Sequence, residues 1–217
     1  MILSLVNNEA TDVYERGLKV KAETDTFESN DIQSTFVEQL RKLDPSNPED
    51  TIRAATLVCN LGHIYHETGN ADEAEENYLC ALEIYLERLG SAHPYVATTL
   101  NNLGSLYCET GRYKQSLDAH GAALRIERRM FGKSHAAIAA TLNNLGFLCE
   151  TRKEFGKAKI LYHRAYLMYR ETQGAHDHQT RVAHRNWRRA LDRRPKQRVP
   201  VLTPLRTLLS MAYAPKA

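Results

Sequence analysis

Three groups of residues in this sequence have side chains and spacings that could do chemistry. Cys59, His63 and His66 share one face of any helix that contains them, and Cys108 recurs one period later near the His66 register. Thiolate and imidazole are the ligands zinc prefers, but this spacing matches no standard finger or ribbon, so no metal and no cofactor are expected. The second group is amide. Asn60, Asn102, Asn144 and Asn186 stand 42 residues apart, and each amide has two donors and an acceptor, enough to hold the backbone of an extended peptide whatever its sequence. The same spacing suits asparagines that brace adjacent helices, since Asn is a poor mid-helix residue. Spacing alone does not choose between the two.

The third group is cationic. Arg181, Arg185 and Arg189 fall four apart, and guanidinium forks pair with carboxylates; a solvated basic face is the plainer alternative. Together with Arg188, Arg193, Arg194, Lys196 and Arg198 they also form the kind of basic run that contacts nucleic acid. Beyond Trp187, however, no aromatic residue is interleaved and no nucleic-acid motif is visible. There is no phosphate-cradling glycine loop, no nucleophile elbow and no convergent acid pair, so the chain is read as a binding protein and not an enzyme. His93 and His135 read as junction residues, and Cys80 and Cys149 as small buried hydrophobes.

The elements that position these groups repeat. Thr56 to Gly62, Thr98 to Gly104 and Ala140 to Gly146 align with a constant period of 42, and Asn186 and Trp187 continue it. Within a period the apolar residues mark two amphipathic helices: Val96, Leu100, Leu103 and Tyr107 form one stripe and Tyr113, Leu117 and Leu124 the next, at helical spacing. Gly69 and Gly111 fall where the first helix must stop, because a left-handed turn there costs glycine nothing. Gly62, Gly104 and Gly146 are read as facing Ala74, Ser116 and Ala158, with Ala81, Ala123 and Ala165 on the same register, so that helices approach closely. Pro94 suits the first turn of a helix.

Leu61-Gly62-x-x-Tyr65, Leu103-Gly104-x-x-Tyr107 and the Gly90-Ser91-Ala92-His93-Pro94 junction resemble the tetratricopeptide repeat. The 42-residue form with Thr-Leu-Asn-Asn-Leu is similar to the repeats of kinesin light chains. The likeness covers residues 51 to 193, with two departures in the third repeat: Cys149 replaces the Tyr and Lys153 the turn glycine. It implies an all-α, right-handed superhelical solenoid of helical hairpins, with repeats at 51–92, 93–134 and 135–176 and a capping helix at 178–193. It also implies that the first helix of each pair lines a concave groove. Carried over, that groove holds Asn60, Asn102, Asn144 and Asn186, with Cys59, Asn101, Asn143 and Arg185 beside them and His63, Ser105, Phe147 and Arg189 one turn further on. The expected guest is an extended or acidic protein segment, and the protein an adaptor. Self-association, with the C-terminal segment in the groove, and nucleic-acid binding through the basic patch are the alternatives.

Residues 1–50 carry 5 basic and 11 acidic side chains, whereas residues 181–217 carry 10 and 1. Ile32, Phe36, Leu40 and Leu43 mark a capping helix at 31–43, whose polar outer face would shield the first repeat, and residues 8–24 suggest a further helix. Pro200 and Pro204 argue against one continuous helix in the 194–217 tail, whose Leu202, Leu205, Leu208 and Leu209 could dock elsewhere. With 42% hydrophobic residues, no apolar run long enough to span a membrane and no signal-like start, an intracellular, cytoplasmic protein with reduced thiols is expected.

Overall fold

The computed structural model describes residues 30–44 and 47–193; the helix read at 8–24 and the tail from 194 lie outside them. The described residues form eight α-helices and no strand: α1 (Asn30–Arg41), α2 (Pro48–Glu67), α3 (Ala71–Leu89), α4 (Pro94–Glu109), α5 (Tyr113–Phe131), α6 (Ala136–Thr151), α7 (Phe155–Gln173) and α8 (His178–Asp192). This is an all-α helical repeat fold. The chain divides into two compact units, one up to Asn102 and one from Leu103, so the boundary falls inside α4. In the first unit α2 packs on α3 and α1 on α2; in the second α6 packs on α7 and on α5, and α8 on α7. None of the described helices is long and apolar enough to cross a membrane.

Each first helix starts where a side chain can accept its orphan amide hydrogens. Asn47 Oδ1 accepts from the Glu49 N–H at 3.0 Å, with Pro48 in the first turn. His93 and His135 then fill this role with imidazole: Nδ1 accepts from the Tyr95 and the Ala137 N–H, each at 3.2 Å. One period later Asp177 Oδ1 accepts from Gln179 and Thr180 at 2.8 and 3.1 Å. The junction residues at 93, 135 and 177 are therefore helix caps. At the other end of α1, the Lys42 and Leu43 amides bond back to the Gln39 and Leu40 carbonyls, so the helix stops before Leu43, and Leu40 is its buried anchor.

The turns between paired helices need a left-handed residue. Gly69 and Gly111 adopt φ of 83° and 76°, and Lys153 occupies the same place in the third repeat with φ of 62°. A side chain in that region costs about 1–2 kcal/mol, partly offset by the greater entropy glycine loses on folding. Lys153→Gly is expected to stabilise the second unit by about 0.5–1 kcal/mol, read as a higher urea midpoint. An unchanged or lower midpoint would show that the lysine carries no strain.

The close approach of paired helices involves a set of rings as well as the small residues read in the sequence. Ala74, Ser116 and Ala158 are fully buried, as are Ala81, Ala123 and Ala165, but the group lying over each glycine is the ring one turn further along the second helix. A Cβ added at Gly62 would come within 3.0 Å of the Tyr78 ring, and one at Gly104 or Gly146 within 2.7 Å of the His120 or Tyr162 ring. The rings at 78, 120 and 162 keep the 42-residue period, so their spacing was the available signal. Ser116 has a second role, its Oγ donating to the Gly104 carbonyl at 2.7 Å. The second unit's core continues through Leu145, Leu148, Leu161, Ala165 and Ala183, with Trp187 packed against it.

Candidate functional site

The strip of first-helix residues singled out in the sequence is taken unit by unit. In the first unit Asn60 and His63 are exposed on α2, and Asn101 and Asn102 are half-buried on α4. Cys59 Sγ lies 3.7 Å from Thr99 Oγ1 and 4.0 Å from Asn102 Nδ2. Burial raises the Cys59 thiol pKa, against smaller lowering effects of these two neighbours, so the thiol is held protonated. His66 instead meets the Tyr78 ring edge-on at 6.4 Å. Among the described residues no group of three or more His, Cys, Asp or Glu is placed to hold a metal ion.

In the second unit Ser105, Asn143 and Asn144 are half-buried, and Phe147, one turn beyond Asn143, is 45% exposed. Asn186 Nδ2 on α8 donates to Asn143 Oδ1 on α6 at 3.0 Å. The fourth asparagine of the series is thus a brace, bonded to the residue 43 positions earlier and not to Asn144. The Cys59–Asn102 approach in the first unit and the Cys108 Sγ to Thr151 Oγ1 contact of 3.9 Å in the second have the same 43-residue offset. Adjacent first helices therefore meet with a stagger of one residue beyond the repeat length.

The arginines separate. Arg181 and Arg185 are exposed on α8, whereas Arg189 is engaged within the protein: its Nη2 donates to Glu150 Oε2 at 2.8 Å. Glu150 has a side chain only 7% exposed, accepts from the Tyr162 hydroxyl at 2.8 Å and is also paired with Arg193 at 3.3 Å. A buried carboxylate needs such partners. Burial pushes the Glu150 pKa up, but the bonds from Arg189 and Tyr162 and the charges of Arg189 and Arg193 outweigh it and hold the carboxyl below its ordinary value. The cluster ties α8 to α6 and α7. Sequence reasoning missed it because Glu150 follows the irregular Cys149 and has no counterpart one period away, where Cys108 stands.

Also unforeseen is the aromatic packing between α7 and α8. Trp187 stacks on His163 at 4.4 Å and on Tyr166 at 5.7 Å, and His184 lies 4.8 Å from Tyr166. These rings cover the outer edge of the last complete hairpin. The first helices also carry, at exposed or half-buried positions, amides, a hydroxyl, an imidazole, a phenyl ring and Arg185. Such groups can bind peptide backbone and side chains.

The family model for the tetratricopeptide repeat matches residues 52–129 and 95–171, together more than half of the sequence. The chain belongs to the tetratricopeptide repeat family. Among solved structures, this repeat protein is similar to BtubC (BKLC) from P. vanneervenii, with a TM-score of 0.57 and 18% identity over 89% of this chain and 95% of that one. It is also similar to a Podosopora anserina protein described as kinesin light chain with nearly identical TPR-like repeats. That chain is 15% identical with a TM-score of 0.57, covering 94% of this chain and 93% of that one; a point variant of the same protein is 16% identical with a TM-score of 0.57, covering 83% and 84%. Identities this low speak for the fold, which is that of kinesin-light-chain-like repeats. No curated protein matches the sequence.

Proposed function

We propose that this tetratricopeptide repeat protein is a non-catalytic adaptor that holds an extended segment of a partner protein along the face of its first helices. Repeats of this family mediate protein–protein interaction. The observation that carries the reading here is Phe147: a phenyl ring nearly half exposed, one turn from Asn143, whose amide is already fixed by Asn186. An exposed aromatic ring beside pre-positioned amides suits recognition of a partner, because rigid aromatic anchors and oriented hydrogen-bonding groups lose little entropy on binding. Ser105 and Asn144 in the second unit, and Asn60, His63, Asn101 and Asn102 in the first, offer the same chemistry on their first helices. Arg185 favours a guest carrying carboxylates, so an acidic or extended segment fits best.

The partner can be recovered by affinity purification with mass spectrometry and its affinity then measured on variants. Replacing Asn102 and Asn144 together by Ala is expected to weaken the complex by roughly tenfold to several hundredfold, each lost hydrogen bond being worth about 0.5–1.5 kcal/mol. The melting temperature should hold or rise, since Ala is the better helix former. A protein that melts early yet binds normally in the cold would mean that these asparagines only brace the helices, as Asn186 does.

A further inference from the structure

Among the described residues α8 has no second helix to pair with, and the face that such a helix would cover is charged. Arg181, Arg188 and Leu191 stand one period after Ala139, Gly146 and Cys149. Those three are buried in the hairpin of α6 and α7, whereas Arg181 and Arg188 are exposed and Leu191 is 42% exposed. Ala183 and Ala190, on the opposite side of α8, fill the core against α7.

On α3 a stripe of the same spacing carries the opposite charge. This helix faces α2 with Tyr78, whose ring lies over Gly62, and with Tyr85, whose hydroxyl donates to Thr56 Oγ1 at 3.0 Å. Away from α2 it leaves Glu76 exposed, Glu83 half-buried and Leu86 38% exposed. Glu76, Glu83 and Leu86 are seven and then three residues apart, as are Arg181, Arg188 and Leu191. Seven residues make almost two full turns, so each set lies along one side of its helix. No ion pair among the described residues uses these four charged groups. The repeat does not impose the pattern, because the corresponding residues are Asp118, Arg125 and Arg128 on α5 and Ile160, Leu167 and Arg170 on α7.

Charge selects what covers the α8 face. Residues 194–217 follow it directly but carry five basic side chains and no acidic one, so Arg181 and Arg188 would repel them. The α3 stripe is attracted. We propose that this protein self-associates by laying α3 of one copy on the uncovered face of α8 of a second copy, parallel and in register. Glu76 then meets Arg181, Glu83 meets Arg188 and Leu86 meets Leu191. Two surface ion pairs and one leucine pair make a small interface, so the dissociation constant should fall at roughly 10 μM to 1 mM. The contact uses none of the asparagines, Phe147 or Arg185, and it stands or falls apart from the adaptor reading.

Sedimentation equilibrium of the full chain tests this. In about 50 mM salt the average mass should climb above that of one chain as the protein is concentrated, and added salt should reverse the rise. Glu76→Arg with Glu83→Arg, and separately Arg181→Glu with Arg188→Glu, should each weaken association by about tenfold or more, with circular dichroism unchanged. Mixed in equal amounts, the two variants should associate about as well as the native protein, because each reversed face then finds its opposite on the other chain. General damage to the surface would not produce that rescue. Should Glu83→Arg disturb folding at its half-buried position, Glu76→Arg and Arg181→Glu alone, both at exposed positions, must show the same loss and rescue on a smaller scale. A single chain at low salt up to about 1 mM, the weak end of specific recognition, would overturn the proposal. Association that survives either reversal would overturn it too, by placing the contact elsewhere, as would two reversed variants that do not rescue each other.

Discussion

Gly104→Leu is expected to break the hairpin of α4 and α5. The backbone at Gly104 lies so close to His120 that even a Cβ would come within 2.7 Å of the imidazole and 2.8 Å of its root carbon Cγ. His120 is 1% exposed and fully enclosed, so its ring cannot swing away as the tip of a surface side chain would. Four added carbons must push the two helices apart, at a cost of about 3 kcal/mol or more. For a chain of this length each kcal/mol moves the melting point by about 2–4 °C, so a fall on the order of 10 °C should be seen by circular dichroism. Gly156→Ala is the control: it lies in α7 with nothing within 4 Å of its added Cβ, and should be neutral or slightly stabilising through helix propensity. Pairing Gly104→Ala with His120→Ala should recover part of the loss, because the two positions then share the freed volume. A Gly104→Leu protein that melts normally would show that the helices do not meet there.

The second large effect is loss of stability in mild acid, caused by the same histidine. Burial lowers the His120 pKa from 6.5 to about 4, because the charged ring would lose its hydration without gaining it back. The folded state therefore resists protonation while the unfolded state accepts it. The contribution is fully present above about 6.5 and is lost progressively as pH falls from 6.5 to about 4, where both states are protonated. The gap corresponds to about 3 kcal/mol. His120→Phe keeps a ring over Gly104, removes the titrating nitrogen and brings no hydroxyl in need of a partner. Urea unfolding at pH 7.5, 5.5 and 4.5 should show the native protein weakening steeply across this range and the variant much less. Parallel losses in both proteins would mean that other groups cause the acid sensitivity. Glu150 acts in a lower window, because its depressed pKa costs stability only as pH falls below the ordinary carboxylate range.

The 42-residue period, the two helices in each repeat and the turn glycines were legible in the sequence because they are set by local spacing. An apolar stripe every three to four residues, a glycine at a left-handed turn and a proline in a first turn act within a few residues of chain. Even the Lys153 departure was visible, although its φ of 62° was not. The histidines at 93 and 135 could be placed at junctions, but their role as caps depends on how the imidazole folds back onto the amide two residues later. Tertiary structure alone decided which atoms meet across helices. The stagger of adjacent first helices sets Asn186 against Asn143 and not Asn144. Where a second helix crosses the first, the ring at 78, 120 or 162 lies over the glycine, beyond the small residue one turn before it. Arg189 reads as an open cation by its helical spacing, yet it closes on Glu150, a carboxylate whose burial depends on three helices packing together. Period and patterning are properties of one strand of sequence, whereas a charge partner is a property of surfaces brought together from distant parts of it.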